Sequence, residues 1–128
     1  MNREKSSGDL KDSEAVLQHL KDRMAEFIRQ RDWERYHTPK NISMSIAIEA
    51  AELMEIFQWL TPEESTALKN DPKKFQHIKE EIADIILYCL SLANVLQIEV
   101  GSAILNKLES NEAKYPAEQF KGNYFAKE

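Results

Sequence analysis

Apolar residues recur three and four positions apart along most of this chain, and that spacing constrains the fold more than any other feature. In the first such segment, residues 12 to 30, they share one helical face: Val16, Leu20, Met24, Phe27 and Ile28. No segment shows the strict alternation of apolar and polar residues that is typical of a half-buried strand. The pattern therefore predicts an all-α protein.

Capping residues and prolines predict where the next helices begin. Because Pro39 disfavours helical backbone at Thr38, we expect Asn41 to cap a second helix over about residues 42 to 59. The segment TPEE, residues 61 to 64, carries a capping-box signature. It predicts a short connecting helix that ends near residue 70.

The last two main helices are predicted in the same way. Asp71 followed by Pro72 opens a long helix to about residue 97. A further helix is expected over about residues 100 to 114, and Pro116 ends it. Four main helices with short connections predict a four-helix bundle, in which ligand and metal sites are built from facing side chains.

Length and composition restrict the class of protein. The 128 residues suffice for one domain, predicted over residues 11 to 128, after a flexible polar tail over residues 1 to 10. A net charge of −5 argues against a nucleic-acid polymer as partner, because affinity for phosphate backbones comes from clustered lysine and arginine. The longest nearly uncharged run, residues 85 to 98, is shorter than the roughly 20 residues of a membrane-spanning helix, so no membrane is expected.

The expected location is the cytoplasm. No secretory signal is visible at the N-terminus. The single cysteine, Cys89, excludes an internal disulfide and is expected to be a small buried hydrophobe.

Two pairs of carboxylates interrupt the apolar faces of the helices. Glu49 lies in the middle of one apolar stripe with Glu52 at its edge, and Glu81 and Asp84 hold the same two places on the long helix. Each pair has i, i+3 spacing, which sets its two carboxylates side by side. The stripes consist of Ile42, Ile46, Leu53, Ile56 and Leu60, and of Ile78, Ile85, Tyr88, Leu92 and Leu96.

Neither pair has a basic partner on its own helix, since no lysine or arginine occurs over residues 41 to 68 or 80 to 106. Buried carboxylates without a counter-ion protonate or bind a cation. Oxygen-only ligation suits Mg²⁺, with Mn²⁺ as an alternative, whereas zinc and redox metals recruit His or Cys. Two interpretations without a metal stay open: a solvated helix surface, and an ion pair with Lys107 or Arg29 from another helix.

With these residues the sequence resembles the MazG-like superfamily of all-α nucleoside triphosphate pyrophosphohydrolases, whose hallmark is E-x-x-E followed by E-x-x-D. The residues at these positions are Glu49, Glu52, Glu81 and Asp84. The segments RDWERYH, ELMEIFQW, EEIADIILY and KLESNEAKYP resemble the dCTP pyrophosphatase branch in order and spacing, and the resemblance covers about residues 20 to 116.

The resemblance implies an enzyme that cleaves a nucleoside triphosphate, with dCTP or a modified dCTP expected, to the monophosphate and pyrophosphate. Mg²⁺ held by the four carboxylates would clamp the triphosphate and activate water. The general base is left open among Glu52, Glu55 and a hydroxide on the metal, because Ile48 stands where some relatives carry a second glutamate. His77, four residues before Glu81, could also line the site.

The resemblance also implies a nucleotide site. The positions that hold the base are matched by Trp33, His37, Trp59 and Tyr88, and those that reach the phosphates and sugar by Lys107, Asn111, Lys114 and Tyr115. Core packing is the alternative for the aromatic residues, and a solvated helix face for the others. Met24 stands where the animal enzymes carry a histidine, which weakens the expectation of strict selectivity for cytosine.

The long helix is apolar nearly all round, so one neighbouring helix cannot cover it. We therefore expect a homo-oligomer, and the resemblance implies a homodimer or homotetramer. In such an assembly Trp33, Lys107 or Lys114 could complete a neighbour's site. Two other functions stay open: a non-catalytic helical module that binds a nucleotide or a protein, and the same chemistry on dUTP or on a broad range of bases.

Overall fold

The computed structural model describes residues 7 to 125, which contain six α-helices. They are α1 Leu17–Gln30, α2 Pro39–Phe57, α3 Pro62–Ala67, α4 Pro72–Leu96, α5 Val100–Lys114 and α6 Ala117–Phe120. Three short 3-10 helices occupy Ser7–Asp9, Glu34–Tyr36 and Leu68–Asn70. No strand occurs between residues 7 and 125, and the four main predicted helices are all present, which confirms the all-α class.

Side-chain caps start α3 and α4 as predicted. The Thr61 hydroxyl accepts a hydrogen bond from the backbone N–H of Glu64 at 3.2 Å, and the Glu64 carboxylate accepts one from the N–H of Thr61 at 3.3 Å. The Asp71 carboxylate accepts from the N–H of Lys74 at 3.1 Å. These bonds satisfy backbone donors that the first turn of a helix leaves without partners.

The predicted start of α2 is wrong, because Thr38 and not Asn41 is its cap. The Thr38 hydroxyl accepts from the N–H of Asn41 at 3.3 Å, and the Asn41 side chain donates to the carbonyl of Tyr36. Pro39 takes the first helical position, where its missing N–H costs nothing. Pro39 does hold Thr38 extended, but extended backbone is what an N-cap requires.

The other helix boundaries differ less from expectation. Helix α1 begins at Leu17, later than the predicted residue 12, and α2 ends at Phe57 instead of near residue 59. Helix α5 has the predicted bounds. Residues 1 to 6 of the predicted tail lie outside the described residues.

The chain divides into two compact units, one up to Gln97 and one from Ile98. In the first unit, α1 and α2 both pack against α4. The second unit contains α5 and α6. The single domain over residues 11 to 128 stays a prediction.

Within residues 7 to 125 no single helix is long and apolar enough to cross a membrane, although α4 and α5 taken as a bent pair pass that test by length and composition.

Helix α4 supplies much of the core of the first unit. The buried apolar side chains of the three packed helices are Met24, Ile28, Ile42, Leu90 and Ala93. The Asn94 side chain also donates to the carbonyl of Lys21 at 2.9 Å, which ties α4 to α1. Cys89, expected to be buried, is exposed, because it lies on the face of α4 that carries the exposed side chains of Ile82 and Ile86.

Candidate active site

Three of the four predicted carboxylates meet where α2 packs on α4. Glu49 and Glu52 from α2 and Glu81 from α4 each place one oxygen within 4.8 Å of the other two. Glu81 is buried, Glu49 is partly buried and Glu52 is exposed. These three residues are called the acidic cluster below.

The acidic cluster contains two polar atoms without partners. Glu49 Oε2 and Glu81 Oε2 are both buried, and neither has a hydrogen-bond partner. Buried carboxylate oxygens are costly unless a cation or a proton satisfies them. The cluster offers only oxygen donors, which is the set that Mg²⁺ and Mn²⁺ prefer. The residues present therefore fit a divalent cation.

Glu49 shows the conflict between like charges most clearly. Its pKa is raised from 4.5 to about 7, chiefly by the facing carboxyl group of Glu81, then by burial and by Glu52. Two carboxyl groups this close can share a hydrogen bond only while one of them holds a proton. The neutral form of Glu49 is therefore favoured when no cation is bound.

We expect the metal-free protein to lose stability as the pH rises from about 4.5 to about 7. Glu49 ionises near 4.5 in the unfolded chain and near 7 in the folded chain. Between these values the folded state binds more protons, so the free energy of unfolding falls with rising pH; the stabilisation is complete below 4.5 and lost above 7. Thermal unfolding in EDTA across this range measures the effect.

Glu49→Gln is the control for this pH profile, because glutamine cannot ionise. Its unfolding temperature should depend less on pH over the same range. Equal slopes for the variant and the wild type would contradict the raised pKa of Glu49.

His77 contacts the acidic cluster next to an open cavity. Its Nε2 lies 3.1 Å from Glu81 Oε1, a contact of the kind that orients carboxylates which bind metals. His77 also lines an open cavity of about 470 Å³ together with Glu52, Glu55 and Ile56. Glu52 and Glu55 are both exposed, so water reaches their carboxylates from this cavity.

Asp84 is not part of the acidic cluster. It lies one turn after Glu81, about 4.5 Å further along the helix axis, and is partly buried. Its side chain lines a second cavity, of about 390 Å³, whose walls come from α1, α4 and the segment after α1. Asp84 thus lies at the junction of the acidic cluster and this cavity. Its role as a fourth metal ligand stays a prediction.

Half of the residues that line the cavity beside Asp84 carry aromatic rings, and this cavity is called the aromatic cavity below. Three of the four residues predicted to hold the base are on its walls, namely Trp33, His37 and Tyr88. The rings of His37 and Tyr88 stack with centroids 6.3 Å apart, and Trp33 meets Phe27 edge to face at 5.8 Å. Flat π faces of this kind bind a nucleobase by stacking.

The fourth aromatic residue, Trp59, lies outside the aromatic cavity. It follows the end of α2 and its side chain is 87% exposed. Its contact with a base stays a prediction.

The residues predicted to reach the phosphates and sugar belong to the second unit. Lys107, Lys114 and Tyr115 are exposed, and Asn111 is partly buried. The Lys114 ammonium lies 5.3 Å from the centroid of the Tyr115 ring, so these two side chains are neighbours. A role for all four residues in nucleotide binding stays a prediction.

Four further residues at the aromatic cavity were not predicted from the sequence: Arg23, Phe27 and Leu87 on its walls, and Ser91 beside it. Phe27 lines it and was counted only as part of an apolar helix face. Ser91 is 1% exposed, and its hydroxyl lies 3.0 Å from Nδ1 of His37. The one signal for Ser91 was its position as a small polar residue inside the nearly uncharged run of residues 85 to 98.

Comparison with known proteins places the chain in a family. The model of the MazG-like family matches residues 44–124. The dCTP pyrophosphatase 1 of Bos taurus is 33% identical over 111 residues, which cover 87% of this chain and 66% of that protein. The dCTP pyrophosphatase 1 of Homo sapiens is 34% identical over 104 residues, which cover 81% and 61%. The chain thus spans slightly less than two thirds of the length of these relatives.

A solved structure is similar to this chain over nearly the whole length of a shorter protein. The crystal structure of a pyrophosphatase from Archaeoglobus fulgidus aligns with a TM-score of 0.71 and 41% identity, covering 84% of this chain and 98% of that one. The matched region of the family model includes all of the acidic cluster and Asp84. The chain therefore belongs to the MazG-like family.

Proposed function

We propose that this protein is a Mg²⁺-dependent nucleoside triphosphate pyrophosphohydrolase that converts dCTP, or a modified dCTP, to the monophosphate and pyrophosphate. The observation that carries the proposal is the position of the acidic cluster beside the aromatic cavity. Relatives that are named dCTP pyrophosphatase 1 and pyrophosphatase support this type of reaction. The biological role would be the removal of unwanted nucleotides from the cellular pool.

Helix α4 provides the axis along which the substrate binds. Glu81, Asp84 and Tyr88 lie on successive turns, and the seven residue steps from Glu81 to Tyr88 span about 10 Å along the helix axis. The base occupies the aromatic cavity against Tyr88 and Trp33. The phosphates then extend past Asp84 towards the acidic cluster.

The carboxylates divide the chemistry among them. Glu49, Glu52 and Glu81 hold the cation, with Asp84 as the proposed fourth ligand. When bound, Mg²⁺ neutralises charge on the triphosphate and activates it towards water. Hydrolysis of the α–β phosphoanhydride bond also requires that the attacking water lose a proton. Glu52 and Glu55 face the open cavity, where their exposed carboxylates can accept it.

The remaining proposed contacts bind the nucleotide itself. Trp59 adds to the three aromatic residues around the base, and the phosphates and sugar are contacted by Lys107, Asn111, Lys114 and Tyr115. Lysine suits a phosphate as a compact point charge. Met24 lines the aromatic cavity with an apolar side chain, so this position does not offer a hydrogen bond that would select cytosine. A broader range of bases, including that of dUTP, is therefore the alternative.

A homodimer or homotetramer is part of the proposal. One face of α4 carries exposed apolar side chains at intervals of seven, four and three residues: Phe75, Ile82, Ile86 and Cys89. An apolar surface of this kind is typical of an interface, and a second copy would cover it. Trp33 or the lysines of α5 would then be able to complete a neighbour's site.

The exposed, unpaired thiol of Cys89 suits a reducing compartment, and we assign the protein to the cytoplasm.

An assay of products tests the proposed function. The purified protein is incubated with Mg²⁺ and a panel of triphosphates that contains dCTP, dUTP and modified cytosines, and pyrophosphate and orthophosphate are measured separately. We expect pyrophosphate in equal amount to the monophosphate, with dCTP or a modified dCTP among the fastest substrates. Binding without turnover would support a non-catalytic module instead. Similar rates on all bases would support the broad-range enzyme.

A further inference from the structure

A buried hydroxyl contacts the wall of the aromatic cavity. Ser91 lies inside α4 and is 1% exposed, and its Oγ is 3.0 Å from Nδ1 of His37. Within residues 7 to 125, His37 is the only side chain or backbone group to which the Ser91 hydroxyl is hydrogen-bonded. The other ring nitrogen of His37, Nε2, is therefore the polar atom that this ring can offer to a ligand.

The direction of the hydrogen bond between Ser91 and His37 follows from what each group can donate. A buried hydroxyl hydrogen without an acceptor is costly, whereas an unused oxygen lone pair costs less. If Nδ1 donated, the hydrogen of Ser91 would have no acceptor in the described part of the chain. We therefore assign Ser91 as the donor and Nδ1 as the acceptor.

The acceptor role of Nδ1 determines where the ring carries its hydrogen. Burial lowers the pKa of His37, so the ring is neutral near pH 7. A neutral imidazole has one donor and one acceptor nitrogen. With Nδ1 as the acceptor, the hydrogen is on Nε2. Tyr88 stacks on the same ring at an interplanar angle of 23°, which holds its plane.

We propose that Ser91 is a positioning residue that fixes the tautomer of His37, so that Nε2–H is presented to the bound base as a hydrogen-bond donor. The ligand group is an acceptor on the base edge, either a carbonyl oxygen or a ring nitrogen without hydrogen. A base that turned an N–H towards the same place would set a donor against a donor and bind more weakly. The identity of the ligand rests on the proposed function, but the tautomer does not.

NMR of the imidazole nitrogens tests the tautomer without any turnover. Long-range ¹H–¹⁵N spectra of the ligand-free protein near neutral pH distinguish Nδ1–H from Nε2–H. We expect the Nε2–H form of His37 in the wild type and a mixture of both forms in Ser91→Ala. Ser43→Ala is the matched control, because Ser43 is exposed in α2 and donates to the carbonyl of Lys40. An Nδ1–H form in the wild type, or no change in Ser91→Ala, would overturn the proposal.

Titration with dCMP tests the contact with the base. We expect the Nε2 resonance of His37 to shift on binding, and Kd to rise about three- to tenfold in Ser91→Ala, the equivalent of one neutral hydrogen bond. His37→Gln, whose amide can place an N–H near the position of Nε2, should bind more tightly than His37→Asn. An unchanged Kd in Ser91→Ala would overturn the role of Ser91.

The two measurements separate this proposal from the proposed function. If no nucleoside monophosphate in a panel binds, the contact with the base is rejected, whereas the tautomer measured in the ligand-free protein still decides whether Ser91 positions His37. If dCTP is hydrolysed but His37 carries its hydrogen on Nδ1, the proposed function holds and the inference about Ser91 fails.

Discussion

Replacing Glu49 with glutamine should reduce turnover by on the order of 10³-fold, while the chain keeps its fold. Glu49 supplies one of the two unpartnered buried oxygens of the acidic cluster, and glutamine has nearly the same shape without the negative charge. The loss should appear in kcat, because the charges that stabilise the transition state are weakened. Initial rates of pyrophosphate release measure the loss of turnover, and circular dichroism measures whether the helices are retained.

Glu80→Gln is the matched control for Glu49→Gln. Glu80 is exposed on α4, next to Glu81 in sequence, and its carboxylate accepts a hydrogen bond from Gln76 on the surface. The same loss of one negative charge should leave turnover within about twofold, since surface substitutions away from a site have small effects. If Glu49→Gln retained full activity, the acidic cluster would not be the catalytic centre.

Removing divalent cations should abolish hydrolysis, and restoring Mg²⁺ should recover it. Without a cation, nothing at the acidic cluster neutralises the negative charge of the triphosphate. A ligand that binds only the folded state also stabilises it, by about 2.7 kcal/mol at a concentration 100 times Kd. Dialysis against EDTA, followed by activity and thermal unfolding with added Mg²⁺ or Mn²⁺, measures both effects.

Glu81→Gln separates specific binding at the acidic cluster from a general effect of salt. The variant should lose the stabilisation by Mg²⁺, whereas Glu80→Gln should keep it. Full activity in EDTA would contradict a metal-dependent reaction. Equal stabilisation of Glu81→Gln and the wild type would place the cation elsewhere.

The sequence predicted the helices and the placement of each carboxylate on its own helix. Helical spacing set Glu49 and Glu81 in the middle of apolar stripes, and the structure has these two residues partly buried and buried where α2 packs on α4. Capping rules located the starts of α3 and α4. The start of α2 was wrong because two rules compete at Pro39: it excludes helix before it, yet it favours the first helical position.

Residues within one helical turn interact through local geometry. The sequence by itself therefore determined the helices, most of their caps and the side-by-side placement of the two carboxylates in each i, i+3 pair. It did not distinguish Glu52 from Asp84, which hold equivalent places beside their stripes. Only the tertiary structure decided that Glu52 joins the acidic cluster while Asp84 lines the aromatic cavity. The pairing of His37 with Ser91, 54 residues apart, was decided in the same way. Helical periodicity determines the direction in which a side chain points from its own helix axis. Packing between helices determines which neighbouring residue lies in that direction.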